Sequence, residues 1–185
     1  MNKKFLGGFA IGIGCMAFVS VDNKYVGAFL FSVGLLTICG RGWELFTGKL
    51  CGDASPKELA LTWILNAAGI CLAALIYMGF GKNTEVCRSI IAAKSSAAPL
   101  SMFLSAICCE VCIYIAVVGY RKIPSDVSKN LSIVLGVMVF ILGGFEHCVA
   151  DMFYACFGGI PGLILIAFAT AGNICGAIAL KKLDV

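Results

Sequence analysis

Apolar residues in this chain run in stretches long enough to cross a lipid bilayer, at roughly 5–21, 25–39, 59–80, 98–119, 131–157 and 160–180. At a rise of about 1.5 Å per residue, ~20 residues span the hydrocarbon core of a membrane. Composition agrees: 61% of the 185 residues are hydrophobic and 13% are charged, too few charges to cover a soluble domain. The expectation is an all-α integral membrane protein with six transmembrane helices, forming a single membrane domain over 1–185 with no separate soluble domain. The first stretch follows Met-Asn-Lys-Lys, as a signal peptide would. Gly7, Gly8, Gly12 and Gly14 fit a packed helix instead, and no small-residue cleavage site follows them.

The loop charges give an orientation. With six spans and the N-terminus inside, the cytoplasmic side holds Lys3, Lys4, Lys49, Lys57, Arg121, Lys122, Lys129, Lys181 and Lys182. The outer side holds Lys24, Lys82, Arg88 and Lys94. That excess predicts a multi-pass protein of the plasma membrane with both termini cytoplasmic. It also accounts for the net charge of +4 without a nucleic-acid partner.

Two clusters interrupt the apolar pattern. Gly-Arg-Gly-Trp-Glu-Leu-Phe-Thr-Gly occupies 40–48, and Gly-Gly-Phe-Glu-His-Cys-Val-Ala-Asp occupies 143–151 with His147, the chain's only histidine. Ionisable residues in hydrocarbon are costly and mark functional positions. Irregular backbone at membrane depth is tolerated only where protein buries it or where it lines a cavity. Gly40, Gly42, Gly48, Gly143 and Gly144 permit the turns of such a break. Glu44 and Glu146 are suited to accept hydrogen bonds from the exposed amides of their loops, and Thr47 offers a small hydroxyl. Phe31, Leu35, Phe46 and Phe140 are candidates for apolar constrictions on either side of His147.

The clusters repeat one another. Gly42-Trp43-Glu44 and Gly144-Phe145-Glu146 lie 102 residues apart, and the run from Ala68-Gly69 resembles that from Ala171-Gly172 at nearly the same offset. Half of six spans is three, and an odd number reverses direction across the membrane. The pattern predicts an inverted 3+3 repeat, about 1–95 and 96–185, with broken second and fifth helices meeting near the midplane.

Eleven cysteines do not form a metal-binding or disulfide pattern. Most fall inside spans, where cysteine acts as a small apolar residue. Cys109 and Cys112 are one turn apart but lack a second pair, and Cys87 is expected in an outer loop without a partner. No metal or other cofactor is expected. No nucleophile–base pair or phosphate loop points to an enzyme, and a purely structural membrane protein leaves the paired breaks unexplained.

At this point the chain resembles the formate/nitrite transporter family, which includes hydrosulfide channels. Phe31-Ser32-Val33-Gly34-Leu35 followed by Glu44-Leu45-Phe46-Thr47 is similar to the family's second-helix motif. Gly144-Phe145-Glu146-His147 with Ala150-Asp151-Met152-Phe153 is similar to its fifth-helix motif, and Gly172-Asn173-Ile174-Cys175-Gly176 to its sixth. The resemblance implies an aquaporin-like fold and a homopentamer in the lipid bilayer, with a pore in each protomer for a small ion. It makes His147 the central pore histidine and Thr47 its loop threonine. Leu35, Phe46 and Ile113 would form the inner constriction, Phe31 and Phe140 the outer one, and Lys94 a vestibule lysine. A weak acid crosses such a pore as its neutral form, with a proton exchanged at the histidine, because a bare anion is costly in an apolar constriction.

The chain also departs from the family. Glu110 stands where an asparagine usually faces the histidine, Asp151 stands four residues after His147 in place of another asparagine, and Arg41 replaces a small uncharged residue. Either Arg41 pairs with Asp151 or Glu110 and the anion pathway persists, or the acidic groups and a Glu110–His147 pair favour ammonium. Only about a dozen residues separate the first break from the third span, so the second half of helix two should be truncated. Without long tails, a passive channel is expected.

Overall fold

The computed structural model describes residues 2–81 and 84–183; Lys82, counted above among the outer-side charges, lies outside them. The described residues form α1 (Lys3–Val19), α2 (Lys24–Arg41), α3 (Phe46–Leu50), α4 (Pro56–Gly79), α5 (Glu85–Ser95), α6 (Pro99–Lys122), α7 (Asp126–Leu142), α8 (Cys148–Ala155) and α9 (Ile160–Leu183). Four of these, α2, α4, α6 and α9, are long and apolar enough to cross a membrane. Helices α1 and α7 have 17 residues each.

Local chemistry sets the helix ends. Ser55 accepts from the Glu58 amide, with Pro56 in the first turn of α4. Asn2, Asn23 and Ser125 accept in the same way at α1, α2 and α7. The long apolar stretch 131–157 is not one helix: α7 ends at Leu142 and α8 begins at Cys148. Its end copies that of α2. Gly42 has φ +60° and Gly144 has φ +68°, a left-handed conformation that glycine adopts without penalty. The Trp43 amide donates to Ile38 O at 2.9 Å, and the Phe145 amide donates to Phe140 O at 2.9 Å. These are the closing bonds of two Schellman turns.

Two features differ from the sequence expectations. The region assigned to an outer loop contains α5, and Cys87, expected in that loop, is fully buried on the helix. Cys87 and Ile91 lie one turn apart and form the apolar stripe that seats this short helix. The first break does lead into a shortened segment, since α3 has 5 residues against 8 in α8.

Matched packing runs through the two halves. Helix α1 packs against α4 and α2, as α6 packs against α9 and α7. A Cβ on Gly34 would lie 2.7 Å from Ala10 O, and one on Gly136 would lie 2.8 Å from Cys112 O. Both glycines, 102 residues apart, let a helix backbone approach where any side chain would collide. Helices α2 and α7 also pack together, which brings the two breaks into the same layer.

Candidate functional site

Each break is pinned by an asparagine. Asn66 of α4 accepts from the Phe46 amide through Oδ1 at 2.8 Å. Its Nδ2 donates to Lys4 O at 2.6 Å and Glu44 O at 3.0 Å. Asn173 of α9 accepts from the Cys148 amide at 3.0 Å and donates to Ala106 O at 2.8 Å and Glu146 O at 3.2 Å. Both are fully buried, and each satisfies backbone groups that the unwound loop would otherwise leave without partners. Neither had been assigned a role from the sequence. The available signal was an amide side chain in the middle of an apolar run.

These hydrogen bonds give the two helices a different correspondence from the one read in the sequence. They match Asn66 with Asn173, 107 residues apart, whereas the sequence likeness had paired Ala68-Gly69 with Ala171-Gly172. The difference is one helical turn, which periodic small residues conceal.

The loops meet at one polar contact. Thr47 Oγ1 and His147 Nε2 are 3.0 Å apart, with both residues buried. His147 also caps α8, because its Nδ1 accepts from the Ala150 amide at 3.1 Å. An amide donor at Nδ1 assigns the ring hydrogen of the neutral imidazole to Nε2, which then donates to Thr47. That leaves the Thr47 hydroxyl hydrogen free to donate elsewhere.

A cavity lies on each side of this contact. The first, of about 210 Å³, is lined by Leu35, Ile38, Trp43, Leu45, Lys49, Val117, Arg121 and neighbours. The second, of about 170 Å³, is lined by Phe31, Phe140, Phe145, His147, Asp151, Lys94 and neighbours. Their walls correspond at a spacing of 102 residues: Ile38 with Phe140, Trp43 with Phe145, Leu45 with His147, and Lys49 with Asp151. Phe31 and Phe140 meet edge to face with centroids 5.7 Å apart, and Phe140 stacks on His147 at 5.5 Å. This aromatic wall closes one end of the second cavity. Leu35 lines the first cavity, and Ile113 is buried on α6 one turn before Val117. Phe46 faces elsewhere: it lines an apolar groove with α4 and α9 residues.

The charged groups are arranged differently from the sequence expectation. Asp151 pairs with Lys94, Oδ1 to Nζ at 3.1 Å, and Lys94 also pairs with Glu146. Burial works against the Lys94 charge, but Asp151 and Glu146 outweigh it and hold the ammonium above the ordinary lysine range. Arg41 is exposed at the last turn of α2, and no ion pair joins it to Asp151 or Glu110 among the described residues. Glu44 is held by Lys4 and by Lys49 at 2.9 Å, and Lys49 also pairs with Glu58.

The Glu110–His147 pair of the second alternative is not formed among the described residues. Both ring nitrogens are already used, and Glu110 Oε1 instead accepts from Cys51 Sγ at 3.6 Å. Glu110 packs at the α6–α9 crossing, where a Cβ on Gly176 would lie 3.0 Å from its own Cβ. Arg121, counted only as a topological charge, turns out to line the first cavity.

The family is decided by the sequence match that accompanies this geometry. The family model described as "Formate/nitrite transporter" matches residues 2–183. The chain belongs to the formate/nitrite transporter family. Among its curated relatives is the uncharacterized transporter YrhG of Bacillus subtilis, 29% identical, with 94% of this chain and 74% of that protein covered. The formate channel FocA of Haemophilus influenzae is 26% identical over 80% of this chain and 57% of its own length. The nitrite transporter NirC of Salmonella typhimurium is 28% identical over 72% and 55%. The chain thus spans little more than half of the latter two proteins. A solved pentameric formate channel with formate bound superposes with a TM-score of 0.84 at 22% identity, covering 98% of this chain and 92% of that one. An ion channel of the same family gives 0.85 at 22% identity, covering 98% and 86%. The fold of this chain is therefore that of the family's channels.

Proposed function

We propose that this protein is a homopentameric plasma-membrane channel for small monovalent weak-acid anions of the formate, nitrite and hydrosulfide class. On this reading α1, α2 with α3, and α4 form one three-span unit, and α6, α7 with α8, and α9 form its inverted counterpart. Both termini lie in the cytoplasm, which places the first cavity at the inner mouth and the second at the outer mouth.

The observation that carries the reading is the Thr47–His147 hydrogen bond, buried between two cavities. An anion in either mouth meets cations, Lys49 and Arg121 inside and Lys94 outside. The apolar walls beyond are costly for a charge, so the substrate crosses as the neutral acid. At the centre the Thr47 hydroxyl donates to a substrate oxygen while Nε2 donates to Thr47. A second proton on the ring displaces the Ala150 amide from Nδ1. His147 therefore carries that proton only while an anion lies beside it; the proton on Nε2 passes through Thr47 to the substrate oxygen, and the cap on α8 returns when the remaining proton leaves Nδ1 and Nε2 is reprotonated.

A second reading, an ammonium channel, is favoured by two buried carboxylate oxygens without hydrogen-bond partners among the described residues, Glu110 Oε2 and Asp151 Oδ2. One uptake panel tests both. Proteoliposomes are assayed with formate, nitrite, hydrosulfide and ammonium from about pH 5 to 8. The weak-acid reading expects flux of at least one of these acids, with altered selectivity or pH dependence in His147→Asn and His147→Phe. Unchanged flux of every substrate in both variants refutes the histidine's role. Gain of anion flux with loss of ammonium flux in Glu110→Asn supports the second reading.

A further inference from the structure

The two mouths of the proposed pore are alike in shape but opposite in one charge. At the matched positions the inner mouth has Lys49 and the outer mouth has Asp151. Glu44 therefore sits between two ammonium groups, whereas Lys94 sits between two carboxylates, Glu146 and Asp151. With all three ionised the outer cluster carries an excess negative charge, in a cavity that must admit anions.

Asp151 is 1% exposed and lines that cavity, and its Oδ2 has no hydrogen-bond partner among the described residues. A buried carboxylate oxygen without a donor is costly, and attaching a proton removes that cost. We propose that Asp151 is the outer proton donor of the channel: it takes a proton from the outer solution and gives it to the anion held at Lys94. The O–H bond at Oδ2 breaks, a new O–H bond forms on the substrate oxygen, and the neutral acid moves on to Phe31 and Phe140; an acid loaded here needs no proton from His147, which serves an anion arriving from the inner mouth. The carboxylate left behind stays paired with Lys94 until the next proton arrives. Protonation also cancels the excess charge, so the same event that loads the donor stops the mouth from repelling the anion.

The surroundings single out this group. Around α8 the titratable neighbours are Lys94 and Cys87 from α5, Cys15 from α1, Tyr77 from α4, Cys109 from α6, and Glu146 and His147 from the break, with Cys148 and Tyr154 on α8 itself. Helix α9 contributes the neutral Asn173. Glu146 is engaged by Lys94, and a second proton on His147 costs the cap on α8.

This inference rests on the weak-acid reading, and one experiment separates the two. Formate uptake into proteoliposomes of the full chain is measured against external pH with internal pH fixed. Asp151→Asn should change uptake in opposite directions: about tenfold lower near pH 5, where the donor is missing, and several-fold higher near pH 8, where the repelling charge is gone. Asp151→Glu should restore the wild-type profile. A change in the same direction at both pH values, or a profile parallel to wild type, overturns the proposal. A wild-type protein without flux of any weak acid overturns the underlying reading instead. If Asp151→Asn does not assemble, infrared spectra of wild-type protein carrying isotope-labelled aspartate decide. A buried carboxylic-acid band should grow as external pH falls through the range where uptake rises, and its absence overturns the proposal.

Discussion

Replacing Asn173 by alanine is expected to release the second break from α9. The side chain makes three hydrogen bonds, of 2.8–3.2 Å, to backbone groups of Cys148, Ala106 and Glu146. Each buried backbone group left unsatisfied costs about 1–3 kcal/mol. The Cys148 amide should lie at the upper end, because it loses its partner outright, whereas carbonyls tolerate under-satisfaction better. The combined loss is then about 3–5 kcal/mol, allowing for relaxation of the loop. For a chain of this size that lowers Tm on the order of 10 °C. Thermal unfolding of the purified protein, followed by circular dichroism and by gel filtration after heating, measures the shift. Asn66→Ala should behave alike, since its three bonds mirror those of Asn173. A shift under about 2 °C in both variants would show that the breaks hold their shape without the asparagines, and the pinning role would have to be abandoned.

Thr47→Val conserves shape but leaves the buried Nε2–H of His147 without a partner. It should destabilise by about 1–3 kcal/mol and lower weak-acid flux at least tenfold, as read by thermal unfolding together with proteoliposome assays. Gly136→Ala places a Cβ 2.8 Å from Cys112 O and 2.9 Å from the Ala116 Cβ, which should cost about 1–3 kcal/mol through forced separation of α6 and α7. Gly40→Ala, with nothing within 4 Å of its added Cβ, is the matched control and should leave Tm unchanged or slightly raised.

The sequence revealed the breaks because their determinants are local. A glycine at positive φ, an aromatic residue and a glutamate recur as a short string, so Gly42 and Gly144 could be found without any tertiary information. Thr47 and His147 could also be named, and the structure brings them within hydrogen-bonding distance. The pairing of charges was not legible. Whether Asp151 meets Arg41 or Lys94 depends on how α8 is rotated and where α5 is seated, and residue names fix neither. Glu110 illustrates the same limit: its position on α6 was known, but the helix face that it occupies directs it to Cys51 and not to His147. Asn66 was passed over because it belongs to no repeated string, although it holds the first loop.

The duplicated loops place Leu45 opposite His147 in kind, and Val149 opposite Thr47, 102 residues apart in each case. All four residues are buried. In position along the two loops the hydrogen-bonding pair therefore has a hydrocarbon counterpart, and in the proposed channel a centre built from both pairs is polar along one wall only. A planar oxyacid can turn its oxygens to that wall and its remaining edge to the other. A fully hydrated ion, or a molecule polar on every side, has no such orientation and must shed partners that the second wall does not replace. For the proposed channel, selectivity at the centre is then a matter of how polarity is distributed over the substrate, as much as of its size or charge.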